Sequence, residues 1–497
     1  MSRKRLNIIT LGIMLSLFLS SMEGTVVATA MPTIVGQLGG LAIYSWVFAI
    51  YMLTSTTTVP IYGKLSDLYG RKRVYTIAML LFLVGSVICG QAQSMEQLIL
   101  FRAIQGLGAG GVLPLAFTVI GELFNLEQRA KMQGLFSSVW GVSAIIGPLV
   151  GGFLVDQVSW HWIFFINVIP GLLAMGLVWF AWNEPRQVRA AKVSIDGWGA
   201  LLLTLAGLTL LLGLNQLGSP WAIWLLASSV GLIVGLVWVE RRALDPILPL
   251  GLFRDRLFMI SNLHGILAGW AMFGSLNYVP LFVQGALATS ATQAGIALTP
   301  STLSWTIASI FGGRLLLKMG YRTLILIGMV SLVAGCFLMT TISTGTSQIS
   351  IMFYTSLMGI GMGLSIPAFL IAVQSSVSKK ELGVATSTVQ FSRSIGGTIG
   401  VSVLGVFLSS QLANKLLSAG IDPTSAALDS LLDPMASTNA SAALGSALRE
   451  ALAVTIANLF IISFVVAALA LLVVFFTPRG TITQLVQDQV AIPPVEI

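Results

Sequence analysis

The chain reads GKLSDLYGRK at residues 63–72 and GRLLLKMGYR at residues 313–322. In both stretches two glycines stand seven residues apart, a cation follows the first glycine, and a leucine follows the cation. The two copies are offset by 250 residues, about half of the 497-residue chain, and each lies between long apolar runs. A repeat of this kind is the sequence signature of an internal duplication.

Two further motifs recur in the same order. The glycine-rich stretch Gly106–Pro114 returns as Gly359–Pro367 at an offset of 253, and the glycines at 147 and 151 return at 396 and 400 at an offset of 249. Three motifs in one order at one offset are hard to obtain by chance. We therefore expect two related halves, an architecture typical of secondary transporters.

The composition indicates an integral membrane protein. Hydrophobic residues make up 56% of the chain and charged residues only 9%, whereas soluble domains carry about 25% charged residues. The net charge of +8 is scattered in short groups, so it does not form the basic patch of a nucleic-acid binder. The two cysteines lie inside apolar runs and cannot form a disulfide framework.

Fourteen predominantly apolar segments are long enough to span a bilayer, since a crossing needs about 20 residues. The expected fold is all-α, with two six-helix halves and two inserted helices. The predicted division is an N-terminal half at 1–183, cytoplasmic loops and the inserted helices at 184–256, a C-terminal half at 257–476 that contains a polar outer loop at 410–451, and a tail at 477–497. A signal peptide is the alternative reading of the N-terminus, but its apolar stretch is too long and contains an acid.

The positive-inside rule orients the helices. With the N-terminus inside, 22 of the 26 Lys and Arg residues fall in inner loops. One missed helix would place every later loop on the wrong side, so the charges support fourteen spans. We expect both termini in the cytoplasm and a bacterial plasma membrane as the location.

These residues resemble the major facilitator superfamily, specifically its fourteen-helix drug:proton antiporter branch. Gly63–Arg73 is similar to the signature of the loop between spans 2 and 3, and Arg102–Gly106 to the span-4 motif associated with proton coupling. Gly141–Gly152 resembles the antiporter motif of span 5, and Met22–Pro32 the span-1 motif, with Glu23 in place of the usual Asp. The resemblance covers nearly the whole chain.

Glu23 is the only carboxylate deep inside a span. An acid there costs about 2.5–3.5 kcal/mol, so it is a functional candidate by default. Arg102 lies at a similar depth and is the expected counter-charge. We predict that this pair couples transport to protons; the alternative is a purely structural ion pair that holds span 1 to span 4.

The inner loop contributes Gly63, Asp67, Gly70 and Arg71 as a predicted gate. Glycines allow a tight turn, and cations can meet carbonyls at a helix C-terminus. We expect a charge-and-dipole latch that joins the halves when the cavity faces outward. The alternative is simple topology, because positive loops stay inside regardless of gating.

Small residues dominate span 5: Gly141, Gly147, Pro148, Gly151 and Gly152. They predict a thin, bendable helix that packs closely against its neighbours. A gating role is the hypothesis, and ordinary membrane packing is the alternative.

Several polar and aromatic residues are candidates to line a cavity. They are Trp46, Tyr51, Gln105, Asn167, Asn262, Trp270, Tyr278, Gln390 and Arg393. Aromatic faces attract quaternary and amphipathic cations, but an interfacial belt and simple packing explain each residue equally well. Arg393 is expected either to line the cavity or to bond backbone carbonyls in the other half.

The sequence thus favours a proton-driven exporter of amphipathic, cationic compounds. One alternative keeps the fold and exports a neutral or anionic metabolite, lipid or antibiotic, with Arg393 or Arg102 meeting the anion. Another is a non-transporting receptor or scaffold. We expect no enzymatic activity, no catalytic or metal-binding residues and no cofactor. The expected partners are small-molecule substrates, protons and membrane lipid, without nucleic acid, around a monomer.

Overall fold

The computed structural model describes residues 2–38, 46–184, 196–217, 219–243, 246–289, 291–418 and 442–485, and these ranges contain helices and connecting turns but no strand. The long helices are α1 (Arg3–Leu38), α2 (Trp46–Tyr69), α3 (Arg71–Cys89), α4 (Met95–Leu123), α5 (Leu126–Gln157), α6 (Val168–Ala181), α7 (Gly197–Asn215), α8 (Pro220–Glu240), α9 (Arg256–Gly269), α10 (Ala291–Leu316), α11 (Tyr321–Met339), α12 (Gln348–Ser376), α13 (Leu382–Ser418) and α14 (Ala442–Val474). One helical turn, Trp162–Phe165, precedes α6, and π-helical turns at Trp270–Gly274 and Phe282–Ala286 continue α9.

Twelve helices in the described ranges are long and apolar enough to cross a membrane. The two predicted spans outside this set correspond to α2 and α5. Large apolar side chains cover the outer surface; Ile169 and Phe180, for example, are 80% and 83% exposed. A water-facing surface rarely carries so many, because each would order water around it. The expected all-α membrane fold is confirmed, whereas the count of fourteen spans is not.

Polar residues fix where several helices begin. The Ser94 hydroxyl accepts a hydrogen bond from the Gln97 amide at 3.3 Å at the start of α4. Asn125 and Gln128 form a reciprocal capping box at the start of α5. The Asp255 carboxylate accepts from the Phe258 amide at 2.8 Å and starts α9. These caps satisfy amides that have no partner within the helix, and so keep the connections short.

The loop predicted at 410–451 is shorter in the structure, because the helices on both sides extend into it. Helix α13 continues to Ser418 and α14 already begins at Ala442. Both extensions are rich in Ala, Leu and Ser, residues that a helix accepts at little cost even outside the apolar span. Residues 419–441 of the predicted loop, and 486–497 of the predicted tail, lie outside the described residues.

Helix α4 lies in backbone contact with both α2 and α3. A Cβ atom added at Gly110 would meet the carbonyl oxygen of Ser55 in α2, and one added at Gly108 would lie 2.6 Å from Phe82 Cα in α3. Only glycine permits this approach. The glycines of α4 therefore join α2, α3 and α4 into one tightly packed unit.

The repeat produces the same packing around α12. A Cβ at Gly363 would lie 3.1 Å from the carbonyl carbon of Trp305 in α10, and one at Gly361 would lie 2.8 Å from the Leu332 amide nitrogen in α11. The glycine motif that recurs at an offset of 253 thus has one structural role in both copies: it seats a central helix between two neighbours.

The pair α7 and α8 packs beside α2. The Ser229 hydroxyl of α8 donates to the Ala206 carbonyl of α7 at 2.9 Å, and a Cβ at Gly207 would lie 2.7 Å from Thr57 Cγ2 of α2. At the end of α8, buried Glu240 accepts from the Leu248 amide at 3.2 Å. This bond ties the connection toward α9 to the helix pair.

We predict that Gly108→Ala destabilises the protein. The new methyl group would overlap the backbone of α3, and such overpacking costs about 1–3 kcal/mol. The thermal unfolding midpoint of the purified protein in detergent should fall. Gly231→Ala in α8 is the matched control, because a Cβ there meets no atom within 4 Å. Equal midpoints for the two variants would contradict close α3–α4 packing.

Candidate functional site: a buried carboxylate network

Glu23 of α1 lies inside the N-terminal helices with its side chain 1% exposed. Its Oε1 atom is 2.5 Å from Nη1 of Arg102, which α4 carries and which is also 1% exposed. A buried pair of opposite charges is stable only if further hydrogen bonds satisfy both groups. The geometry around each member therefore decides what the pair can do.

Two carboxamides complete the shell of the carboxylate. Gln105 Nε2 donates to Glu23 Oε1 at 3.0 Å, and Asn167 Nδ2 donates to Glu23 Oε2 at 2.8 Å. Both residues are buried. Each carboxylate oxygen thus accepts at least one hydrogen bond from a neutral amide in addition to the ion pair at Oε1.

Arg102 has acceptors besides Glu23. Its Nη1 atom donates to Gln105 Oε1 at 2.7 Å, and its Nε atom donates to the Val47 carbonyl oxygen of α2 at 3.2 Å. The guanidinium also lies 4.0 Å from the centre of the Tyr51 ring. If Glu23 takes up a proton, Arg102 keeps two acceptors and an aromatic face. The arrangement therefore allows a carboxyl group to change protonation state without leaving an isolated cation.

Ser86 of α3 links the two carboxamides, and sequence reasoning missed it. Its hydroxyl accepts from Gln105 Nε2 at 3.2 Å and from Asn167 Nδ2 at 3.0 Å, and donates to the Phe164 carbonyl at 2.9 Å. A serine in an apolar helix carries no sequence signal of this role. The polar break before α6, where Asn167 follows an aromatic turn, is the nearest available clue.

Three of the predicted cavity residues are therefore partners of the predicted proton site. Tyr51, Gln105 and Asn167 all surround the Glu23–Arg102 pair. Since α1, α2, α3, α4 and the turn before α6 each contribute a group, the site depends on the packing of the whole N-terminal set of helices.

The antiporter-like glycines of α5 pack against the segment of α1 that follows Glu23. A Cβ at Gly147 would lie 3.0 Å from Thr25 Cβ, and one at Gly151 would lie 3.2 Å from the Val26 carbonyl oxygen. Gly141 instead faces Thr306 of α10, while a Cβ at Gly152 would meet no atom. The side chain of Pro148 lies outside the described residues.

The predicted gate residues lie where α2 meets α13. Asp67 Oδ1 accepts from the Gly383 amide at 3.0 Å, and Oδ2 accepts from the Val384 amide at 2.8 Å. These amides belong to the first turn of α13, where the helix dipole favours a negative charge. A Cβ at Gly63 would collide with the Ser387 side chain and lie 2.8 Å from the Gly383 carbonyl. The absence of a side chain at residue 63 is what allows this contact.

Arg71 connects the same contact to α4 and to the turn between α12 and α13. Its Nη2 atom donates to Asp67 Oδ1 at 2.9 Å and to the Lys379 carbonyl at 2.7 Å, and its Nε atom lies 3.5 Å from Glu122 Oε2. We call the end of the bundle that carries these residues the basic end. The N-terminal and C-terminal sets of helices are in direct contact there.

Glu184 holds the turn that carries Arg71. Its Oε1 atom accepts from the Arg71 amide at 2.7 Å and its Oε2 atom from the Lys72 amide at 3.3 Å, at the start of α3. Gly70 adopts a φ of 94° just before this helix, a backbone conformation that residues other than glycine rarely adopt. Glu122 and Glu184 were not predicted, since each looks like an ordinary acid at a helix end.

Asp67 lies in the last turn of α2, at the basic end. Burial raises the pKa of its carboxyl group to about 7, although Arg71 and the two α13 amides act in the opposite direction. The Asp67 carboxyl group is therefore a titratable group within the contact between α2 and α13.

The remaining candidates lie in the C-terminal set or at its edge. Asn262 donates to the Phe258 carbonyl at 2.8 Å and accepts from Ser392, and the Tyr278 hydroxyl donates to the Val401 carbonyl at 2.6 Å. These bonds satisfy both residues within α9 and α13. Trp46 is half-buried at the start of α2, and Trp270 follows α9. Gln390 and Arg393 lie on α13, where the backbone of Arg393 contacts α9 at Gly269.

Metal binding finds no support in the described part of the chain. No three His, Cys, Asp or Glu side chains there could hold an ion, and Cys89 and Cys336 are separate buried thiols.

Comparisons with known proteins agree on one family. The family model described as "Major Facilitator Superfamily" matches residues 13–401. The multidrug transporter protein MdtP of Bacillus subtilis (strain 168) is 40% identical over 417 residues, covering 83% of this chain and 77% of that protein. Multidrug resistance protein 3 of the same organism is 36% identical over 418 residues, covering 83% and 81%. A double-tryptophan variant of XylE superposes with a TM-score of 0.64 at 15% identity, covering 98% and 99%, and supports the fold alone.

We predict strong energetic coupling between Glu23 and Arg102. Breaking a buried ion pair by removing one partner costs about 3–5 kcal/mol, because the other charge is left uncompensated. Glu23→Gln and Arg102→Gln should each lower the thermal unfolding midpoint. The double variant should lose much less than the sum of the two single losses. Glu127→Gln and Lys131→Gln form the control cycle, since that pair is exposed. Additive losses at Glu23 and Arg102 would disprove the coupling.

We also predict that Gly63→Ala loosens the basic end. A methyl group there would force α2 away from α13 and expose buried Ser66. The measurement is the rate of maleimide labelling in a Ser66→Cys background, which should rise several-fold. Gly152→Ala is the control, because a Cβ there meets no atom within 4 Å. Unchanged labelling would mean that residue 63 does not set the contact.

Proposed function

Because this chain belongs to the Major Facilitator Superfamily, we propose that it is a proton-coupled antiporter that exports amphipathic, cationic drugs or toxic compounds. It is a multi-pass membrane transporter, and its two relatives from Bacillus subtilis are named as multidrug transport and resistance proteins. The observation that carries the proposal is the buried Glu23 carboxylate, which accepts hydrogen bonds from Arg102, Gln105 and Asn167.

The proton site works through two alternative bonding states of Arg102. When Glu23 is ionised, the two form an ion pair. When Glu23 is protonated, Arg102 keeps Gln105 Oε1 and the Val47 carbonyl as acceptors. Outside protons neutralise Glu23, and a cationic substrate entering from the inside favours the ionised acid and displaces the proton.

The basic end acts as the inner gate. By the positive-inside rule we assign this end, together with both termini, to the cytoplasm. The bonds from Asp67 to α13 and from Arg71 to the Lys379 carbonyl close that side. Breaking them lets the two six-helix halves rock apart, which is how duplicated transporters expose a midplane site in turn to each side.

The proposal includes fourteen crossings of a bacterial plasma membrane by a monomer. Helices α2 and α5 complete the set, since α2 lies in backbone contact with α4 and α5 lies against α1. Because these helices face protein, they can carry polar residues at those positions. Their lower apolar content therefore does not prevent insertion. Helices α7 and α8 are the two inserted spans.

One acid implies one proton for each substrate molecule. Exchange of a monovalent cation for one proton moves no net charge, so the pH difference alone drives export. Each pH unit is then worth about 1.4 kcal/mol, or about tenfold accumulation. Export of such a cation that depends on membrane voltage would contradict this stoichiometry.

The decisive test uses proteoliposomes that contain the purified protein, an internal pH dye and a panel of cationic dyes. We predict a substrate-evoked proton flux that Glu23→Gln abolishes. Glu127→Gln is the matched control, because it removes an exposed carboxylate far from the network, and it should transport normally. If folded Glu23→Gln retains the flux, then Glu23 is a structural ion-pair partner and proton coupling lies elsewhere.

A further inference from the structure

Arg393 of α13 has no partner in the described part of the chain. It makes no hydrogen bond, ion pair or aromatic contact with any residue that the structure describes. The surrounding C-terminal helices offer no counter-charge, since neither 256–380 nor 382–421 contains an Asp or Glu. Arg102 in the N-terminal set, by contrast, has a carboxylate, an amide oxygen and a carbonyl. A charge at membrane depth requires water or a ligand in place of such a partner.

Gln390 adds a second unsatisfied donor one turn earlier on the same helix. Its side chain is 2% exposed, and its Nε2 atom is buried without a hydrogen-bond partner. Residues three apart in a helix lie on one face, so Gln390 and Arg393 point to the same side of α13. A buried amide N–H without a hydrogen-bond partner is unfavourable. Both Gln390 and Arg393 are donors, so the partners that they lack are acceptor atoms.

An indole provides the third donor. Trp270 begins the π-helical turn after α9, and its Nε1 atom is also buried without a partner. Its Cδ1 atom lies 2.8 Å from the position that a Cβ would take at Gly400, seven residues after Arg393 on α13. The three donors therefore follow one stripe of α13, which we call the donor stripe: Gln390, Arg393 and the indole of Trp270.

Aromatic rings stand beside the donor stripe. Phe273 packs on Gly397, where a Cβ would lie 3.2 Å from Phe273 Cβ. The rings of Phe273 and Trp305 lie 6.1 Å apart between centres, so α10 supplies a second wall. Arg393 is only partly buried. The stripe thus joins an accessible cation and two neutral donors to an apolar aromatic surface.

We propose that the donor stripe binds the carboxylate of an amphipathic substrate, whose apolar body lies against Phe273 and Trp305. A carboxylate supplies acceptors alone, and it matches the guanidinium fork with two parallel hydrogen bonds. This extends the proposed function, on which it rests, to anionic and zwitterionic compounds. A zwitterion would place its carboxylate at Arg393 in the same way.

The test is direct binding in neutral detergent, which needs no proton gradient. The probes are 1-pyrenebutyrate and its uncharged analogue 1-pyrenebutanol, followed by energy transfer from tryptophan to pyrene. Wild type should bind the carboxylate about tenfold more tightly than the alcohol, as a charge-assisted bidentate pair predicts. Arg393→Gln should abolish the preference, Arg393→Lys should keep part of it, and Gln390→Leu should reduce it several-fold.

Controls separate this proposal from its alternatives. Arg314→Gln removes an exposed cation at the basic end and should leave the preference unchanged. Equal affinities for the two probes in wild type would overturn the proposal. If Arg393→Gln does not fold, an unchanged preference in Gln390→Leu and Arg393→Lys would overturn it equally.

A lipid headgroup carries the same anionic chemistry. Phosphatidylglycerol added to the micelles should compete weakly if the stripe is a substrate site. Complete displacement of the probe at low lipid content would assign the stripe to lipid and overturn the substrate proposal. Glu23→Gln should retain the carboxylate preference even where it abolishes proton flux, so the failure of one proposal can be told from the failure of the other.

Discussion

The N-terminal half of the molecule is organised around one buried charge. Glu23 can lie in an apolar interior only because Arg102, Gln105 and Asn167 donate to it. Those donors come from α4 and the turn before α6, and Ser86 of α3 holds the carboxamides in place. The positions of these helices are therefore constrained by one carboxylate. A change in the charge of the Glu23 carboxylate would therefore alter its hydrogen bonds with groups on several helices at once.

The two halves share a packing plan but differ in their chemistry. The glycines of α4 and α12 seat each helix in the same way, as the repeat requires. Among the described residues, the acid and its carboxamide shell lie in the N-terminal set, while Arg393 and its neighbouring donors, which have no partner there, lie in the C-terminal set. The duplicated halves thus keep a similar frame and differ in the polar groups that they bury. Our two proposals assign the proton to the first set and the substrate's acceptor atoms to the second.

The sequence predicts the features that depend on a residue's position along the chain. Repeat offsets predict the twin glycine helices, and depth in the membrane predicts that Glu23 and Arg102 meet, as the structure shows. It does not predict the contacts that depend on how each helix is rotated about its own axis. The sequence predicts Asn167 and Gln105 as cavity residues, because it cannot distinguish a carboxamide that lines a cavity from one that belongs to a hydrogen-bond shell. Ser86, Glu122 and Glu184 gave no signal, since their partners lie tens of residues away.

Helix α4 links the two ends of the N-terminal half mechanically. It carries Arg102 near one end and Glu122, beside Arg71, at the other, about 30 Å away at 1.5 Å per residue. Pro114 would weaken such a long helix, but the glycines before it hold that part of α4 in close contact with α2 and α3, and Gly121 after it packs against the Gln374 side chain of α12. Close packing of this kind makes α2, α3 and α4 one unit, so a displacement of α4 at the ion pair requires its two neighbours to move with it. The proposed rocking motion would then carry the ion pair and the Arg71 contacts together, as parts of one block.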